Sequence, residues 1–320
     1  MSSPVIAIAD SPFPSLDPVK AALATLDPEY RVSKSPSAED ILEVARDADA
    51  IIVCYAKITA EIINQLTNCK VIGRTGLGVD NIDIPAAAAK GITVTYVPDY
   101  CLREVSDHAM ALLLALARRV TLANKLAQDG RWEMPAVQPI YRLEGRVLGL
   151  VGFGNIPRTM VPKAKAFGLK VITADPYVAD EHLKALDVEN VSFDELLAQS
   201  DFVSVHAPLL PQTHHLFNAE AFAKMKKGAS IINTARGPLI DETALLAALK
   251  SGHLAGAGLD VIETEPMPKD SPLIGHDNLI LTPHTGFYSV ESLVELQTKC
   301  ATDVGHVLQG EKPVYPAKMS

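Results

Sequence analysis

The chain of 320 residues is poor in cysteine, with four, and those it has, at 54, 69, 101 and 300, lie far apart with no C-x-x-C pair. That spacing argues against a zinc site and against a disulfide framework, and it suits a reducing cytoplasm. No apolar run approaches the ~18–20 residues that a bilayer span needs, which excludes a transmembrane helix; the longest is the Ala/Leu block 109–117. The N-terminus has no basic region ahead of the apolar stretch 5–9 and no small-residue cleavage pattern before Asp10, so export is not expected. Positive charge is also short. With 29 Lys and Arg against 38 Asp and Glu the net charge is -9, no basic cluster interrupts it, and nucleic acid is an unsuitable partner. There is no G-x-S-x-G after a strand pattern and no H-E-x-x-H. His206, His214 and His215 do not make a metal centre, because adjacent histidines on an extended segment point opposite ways.

What is present is globular: 48% hydrophobic and 21% charged residues are far from a disordered composition. At about 100–200 residues per domain the length predicts two domains. Short apolar runs rich in β-branched residues recur at 5–9, 50–55, 70–72, 92–97, 147–151, 170–173, 202–205, 230–233, 257–262 and 279–282, with helical patterns between them. Runs that are apolar throughout, rather than alternating, belong to strands covered on both faces. Ten such strands alternating with helices predict two doubly wound α/β units with parallel sheets. Turn-rich stretches place the crossings near 99–103 and 285–289, which makes residues 1–101 and 286–320 one discontinuous domain and residues 102–285 the other. Ser192 with Glu195 reads as a capping box, and Asp241 and Ser289 as helix caps. Residues 104–126 read as one buried helix, and residues 130–144, which hold the only tryptophan, Trp132, as an arm without periodicity.

The strand at 147–151 runs straight into Gly152-Phe-Gly154-Asn155-Ile156-Pro157, and a helical pattern follows. This is the context of a dinucleotide fingerprint: Gly152 permits the tight turn, Gly154 lets the backbone approach a pyrophosphate, and the amides near Asn155 and Ile156 face the phosphates at the positive helix end. The next strand ends at Asp175, 23 residues after Gly152, where a carboxylate can bond both ribose hydroxyls and favours NAD over NADP. Pro157 departs from the pattern, replacing the third glycine or alanine. Proline is tolerated that early in a helix.

Three polar residues stand just beyond apolar strands: Arg236, Glu265 and His284. Ligands of doubly wound sheets lie outside the carboxyl ends of strands, so the three are expected in one crevice. An arginine fork can orient a keto acid's carboxylate, and a histidine bonded to a carboxylate can exchange a proton near neutrality. Taken singly, each also reads as an ordinary surface cation, loop carboxylate or turn histidine.

The blocks Asn233-Thr-Ala-Arg236-Gly237-Pro, Gly256-Ala-Gly-Leu-Asp260-Val-Ile-Glu-Thr-Glu265-Pro266 and Leu281-Thr-Pro-His284-Thr-Gly286 resemble, in order and spacing, the signatures of the D-isomer-specific 2-hydroxyacid dehydrogenases. Gly73-Arg74-Thr-Gly76-Leu77-Gly78-Val-Asp80-Asn81 resembles that family's substrate loop, and Glu104-Val-Ser-Asp107-His108-Ala the start of its interdomain helix. The resemblance implies a Rossmann-type NAD domain beside a flavodoxin-like substrate domain, and hydride exchange between NAD and a small 2-keto or D-2-hydroxy acid in a homodimer. It implies His284 as acid/base, Glu265 as its partner and Arg236 as substrate anchor, with the amides of Leu77 and Gly78 on the substrate carboxylate. Gly152, Gly154, Asn155, Ile156 and Asp175 would hold adenosine and pyrophosphate, with His206, Pro208 and Thr213 along the edge and Thr234 and Asp260 near the nicotinamide. Arg74 and Tyr288-Ser289 look most like the branch that contains the C-terminal binding proteins, where an arginine matching Arg74 contacts the keto acid; Tyr288 is then a pocket residue. Ile262 departs from the usual Asp-Val-Phe. After His284 a helix and a short tail remain, so the regulatory domain of long phosphoglycerate dehydrogenases is not expected. The same branch offers a second reading, an NAD-binding corepressor-like scaffold, against which the lack of interaction tails speaks.

Overall fold

The computed structural model describes residues 3–317, and these divide into two compact units: the chain up to Tyr100 with the segment from Ser289 onward, and the chain from Cys101 to Tyr288. The first unit holds a five-stranded sheet of β1 (Val5–Ile8), β2 (Glu29–Val32), β3 (Ala50–Val53), β4 (Val71–Arg74) and β5 (Thr93–Thr95) in the order β2-β1-β3-β4-β5. All its pairings are parallel. Crossovers run through α1 (Asp17–Ala22), α2 (Ala38–Ala45), α3 (Ala60–Gln65) and α4 (Ile84–Ala89). The strand order reverses between β1 and β3, the place where loops at the carboxyl ends part to leave a crevice. There the Asp10 carboxylate accepts the Cys54 and Tyr55 amides at 2.8 and 2.7 Å, pinning the loop after β3.

The second unit opens with α5 (Leu102–Arg118) and α6 (Val120–Gln128). Seven strands follow: β6 (Val147–Val151), β7 (Lys170–Ala174), β8 (Glu189–Asn190), β9 (Phe202–Val205), β10 (Ser230–Asn233), β11 (Gly256–Leu259) and β12 (Leu279–Leu281). Between them lie α7 (Asn155–Ala166), α8 (Asp180–Leu186), α9 (Phe193–Gln199), α10 (Ala219–Lys224) and α11 (Glu242–Lys250). The all-parallel order β12-β11-β10-β9-β6-β7-β8 reverses between β6 and β9. One core layer joins Phe217, Phe222, Ile231 and Leu245; the other joins Leu113, Leu148, Met160 and Phe202. Each large apolar side chain so buried contributes about 1.5–3 kcal/mol relative to exposure. The last helix, α12 (Val290–Leu308), packs on α1, β3, β4 and β5 of the first unit.

Two expectations need correction. Among the described residues there are twelve strands, not ten: β2 and β8 are edge strands with a single neighbour each, and their Glu-Tyr-Arg-Val and Glu-Asn sequences, half-exposed in β2 and exposed in β8, carry no apolar run. The helix expected over 104–126 is broken, because Arg119 turns left-handed at φ 50 and separates α5 from α6. The caps appear where the sequence puts them. Ser192 and Ser289 form capping boxes and Asp241 accepts the Ala244 amide. Among the described residues no helix is long and apolar enough to cross a membrane.

Candidate active site

The β6 strand ends in Gly152, whose φ of 89 is left-handed and where a Cβ would lie 3.0 Å from the His206 carbonyl oxygen, so the chain can turn here only with glycine. Gly154 then caps α7 without a side-chain acceptor, and nothing stands within 4 Å of the position its Cβ would take. The first amides of α7, those of Asn155 and Ile156, have no acceptor inside the helix. Pro157 is buried in the same turn and removes only an amide that the helix would leave unbonded. Asp175, just beyond β7, accepts the Phe153 amide at 2.7 Å and the Tyr177 amide at 2.8 Å, so one carboxylate ties the glycine turn to the end of the next strand. An open glycine cradle, unbonded helix amides and a strand-end carboxylate fit a dinucleotide.

His206 follows β9 with its Nε2 2.9 Å from the Ser204 hydroxyl, and burial pushes its pKa down to about 4, so the ring is neutral. Thr213 turns inward on its own loop, donating to the Pro208 carbonyl at 2.7 Å and accepting the Leu210 amide at 2.8 Å. The Thr234 hydroxyl, just past β10, is buried without a partner in the structure. A buried hydroxyl left unmatched costs free energy that a bound ligand can recover.

Arg236 is shaped by Asn233, whose side chain accepts the Ala235 amide at 3.0 Å and donates to the Arg236 carbonyl at 2.8 Å. The half-buried guanidinium donates from Nη1 to the Ala235 carbonyl at 2.7 Å. Gly237 brings this loop against the one after β11, since a Cβ there would overlap the Ile262 carbonyl carbon at 1.9 Å. On that second loop Glu265 reaches His284, with Oε2 2.7 Å from Nδ1. Burial pushes the Glu265 carboxyl up, but the hydrogen bond and charge of His284 with the Ile262 amide outweigh it and hold the carboxyl below its ordinary value. An ionised carboxylate only accepts, so Nδ1 carries the hydrogen in this pair. The ring meets Phe287 edge-on at 6.2 Å. Tyr288, two residues further along than Gly286, is exposed.

Asp260 stands just past β11, and its carboxylate is held by the chain itself. It accepts the Thr282 hydroxyl at 2.6 Å and the Thr285 and Gly286 amides at 2.9 and 2.8 Å, with His108 Nε2 at 3.3 Å, and is 3% exposed. Burial raises the pKa of this carboxyl, but the donors from His108, Thr282, Thr285 and Gly286 prevail and hold it at about 2.

In the first unit, Arg74 ends β4 and lays its guanidinium over Gly76, with Nη1 donating to the Thr75 carbonyl at 3.0 Å and Nε buried without a partner. Leu77 is exposed and Gly78 half-buried on the loop that follows.

Residues 110–286 match the family model described as the NAD binding domain of D-isomer specific 2-hydroxyacid dehydrogenase. This chain belongs to that family. It is 37% identical over 282 residues to a glyoxylate reductase of Korarchaeum cryptofilum, covering 87% of this chain and 85% of that one. It is 42% identical over 285 residues to a D-3-phosphoglycerate dehydrogenase of Methanocaldococcus jannaschii, covering 88% of this chain but 54% of the relative, so it spans about half that enzyme's length. A solved structure of a Thermus thermophilus protein superposes with a TM-score of 0.90 at 34% identity, over 98% of this chain and all of that one.

Within this candidate site, three residues carry no assignment from sequence reasoning. Asn233 shapes the Arg236 loop, and an asparagine at a strand end is its only signal. Arg158 bonds Asn155 and the Gly154 carbonyl at the start of α7, signalled by a cation in a first turn that usually favours acids. His108 meets Thr282 at 2.8 Å across 174 residues, which no local pattern reveals.

Proposed function

We propose that this chain interconverts a small 2-keto acid and its D-2-hydroxy acid with NAD as the redox partner. The observation that carries the reading is the 2.7 Å His284–Glu265 pair, which stands beyond the carboxyl ends of strands in the same sheet as those that lead into the Gly152 turn and Asp175. NAD, when bound, supplies or takes up the hydride. Gly152, Gly154, Asn155 and Ile156 would receive the pyrophosphate, Asp175 the adenosine ribose, His206, Pro208 and Thr213 the edge of the dinucleotide, and Thr234 a polar group of the nicotinamide half. Arg236 holds the substrate's carboxylate and carbonyl through its fork. His284 gives its Nε2 proton to the carbonyl oxygen as the carbon is reduced, and takes it back in the reverse direction. Glu265 keeps the ring in one orientation and stabilises its cation. In the first unit, the Leu77 and Gly78 amides and Arg74 are proposed to bind the substrate; Arg74 Nε, buried and unmatched, suits a substrate with a further polar or anionic group. Tyr288 is proposed as a pocket wall. Asp260 serves by holding the turn that carries His284.

The names of the two relatives, a glyoxylate reductase and a phosphoglycerate dehydrogenase, support an α-functional acid of few carbons. We propose a homodimer as the working form, because Trp132, Met134 and Tyr141 on the arm after α6 are 90%, 68% and 59% exposed. Apolar groups gathered in this way usually mark an interface. The test is NADH consumption with glyoxylate, pyruvate, hydroxypyruvate and 2-ketoglutarate. Turnover of at least one supports the reading, and NADH binding with no turnover of any would favour a scaffold.

A further inference from the structure

Resting on the dehydrogenase reading, we propose that His108 is a positioning residue: through Thr282 it completes the donor set on Asp260 that holds His284 in a left-handed backbone conformation. The direction of each hydrogen bond follows from chemistry. The Thr282 hydroxyl has one hydrogen and lies 2.6 Å from Asp260 Oδ1, which as a carboxylate oxygen can only accept. That hydrogen is therefore committed to Asp260. His108 Nε2, 2.8 Å from the same hydroxyl oxygen, must then be an N–H donor to its lone pair. The relay runs one way, from His108 to Thr282 to Asp260, and Nε2 lies 3.3 Å from the same carboxylate oxygen.

The carboxylate's other bonds go to the Thr285 and Gly286 amides, the two that follow His284, while the Asp260 carbonyl accepts the His284 amide at 2.8 Å. His284 thus hangs from Asp260 by the chain on both of its sides. It needs such a hold, because its φ of 52 is a region that non-glycine residues seldom enter unless their surroundings fix them there. His108 comes from α5, which packs on β10 and β11, so a helix far away in sequence sets the torsion of the residue proposed to move the proton. If His108 is removed, Thr282 loses its donor and is free to rotate its hydroxyl away from Asp260. The two amides then share a carboxylate that is less firmly placed.

The test compares His108→Leu, His108→Gln, Thr282→Val and the double variant His108→Leu/Thr282→Val in the full chain. It measures amide hydrogen exchange together with NADH affinity, kcat and KM. His108→Leu should speed exchange at Thr285 and Gly286 about tenfold relative to the amides of β9 and β10. It should also lower kcat about tenfold while NADH affinity and KM stay within about twofold, since a misplaced group costs rate more than binding. His108→Gln, which keeps an N–H donor, should recover most of both. The double variant should be no worse than Thr282→Val alone, because the two residues act in series. Unchanged exchange and kcat in His108→Leu, or a double variant whose loss is the product of the single losses, would overturn the proposal. The exchange readout needs no turnover. Faster exchange in a chain that turns over no keto acid would therefore defeat the dehydrogenase reading and leave the clasp standing.

Discussion

At His284 the proposed chemistry rests on one distance, because Glu265 Oε2, 2.7 Å from Nδ1, accepts the hydrogen there and Nε2 is the atom proposed to trade a proton. Replacing His284 by Ala should leave NADH affinity near the wild-type value while turnover of any 2-keto acid falls by about 10²–10⁴, the usual weight of a positioned acid. Parallel NADH titration and steady-state rates check this, and full turnover in the variant would remove His284 from the mechanism. Asp175, proposed to receive the adenosine ribose, would repel a 2′-phosphate there, and the residues after it, Pro176 and Tyr177, supply no cation. Asp175→Ala should narrow the preference for NADH over NADPH, and a wild-type chain using both equally would contradict the assignment. The strand-end places of Arg236, Glu265 and His284 were legible because each stands two or three residues past an apolar run. The place of the Asp260 carboxylate was not, since its partners return from 22 to 26 residues further along and from α5.

The loop between β12 and α12 is where sequence reading and folded geometry differ most in content. Its position could be read from the turn-rich stretch that puts a crossing near 285–289, but its shape depends on Asp260, a buried acceptor on the loop after β11. The strand ends tell the same story: runs read as 50–55 and 257–262 stop being strand at Val53 and Leu259, because the chain leaves the sheet there to form the loops. Edge strands β2 and β8 escaped notice for the opposite reason, since an edge exposed to water does not need apolar residues. The Asp260 clasp has a thermodynamic signature. A carboxyl whose pKa falls from 3.8 to about 2 on folding adds stability above the higher value and loses it as pH drops toward the lower. The shift is worth roughly 2 kcal/mol. Thermal melts of wild type and Asp260→Asn should therefore differ most near neutral pH and converge below about pH 4. A gap that stays constant across that window would show that Asp260 is not held ionised by its donors.

The whole molecule repeats one device, a parallel sheet whose strand order reverses, and two such units were legible from strands apolar throughout. The break at Arg119 was not, because α5 and α6 are both helical by composition and only a single left-handed residue divides them. The exposed Trp132, Met134 and Tyr141 lead to a prediction at this scale. Sedimentation or light scattering at micromolar concentration should give an active species of two 34.3 kDa chains, and Trp132→Glu should shift it toward one. An active species with the mass of a single chain would defeat the dimer proposal. The most direct measurement of the central claim is the configuration of the product formed when NADH is consumed with a prochiral 2-keto acid such as pyruvate or hydroxypyruvate. The account predicts one D-hydroxy acid for each NADH oxidised. An L or racemic product, or NADH consumed with no hydroxy acid formed, would contradict it.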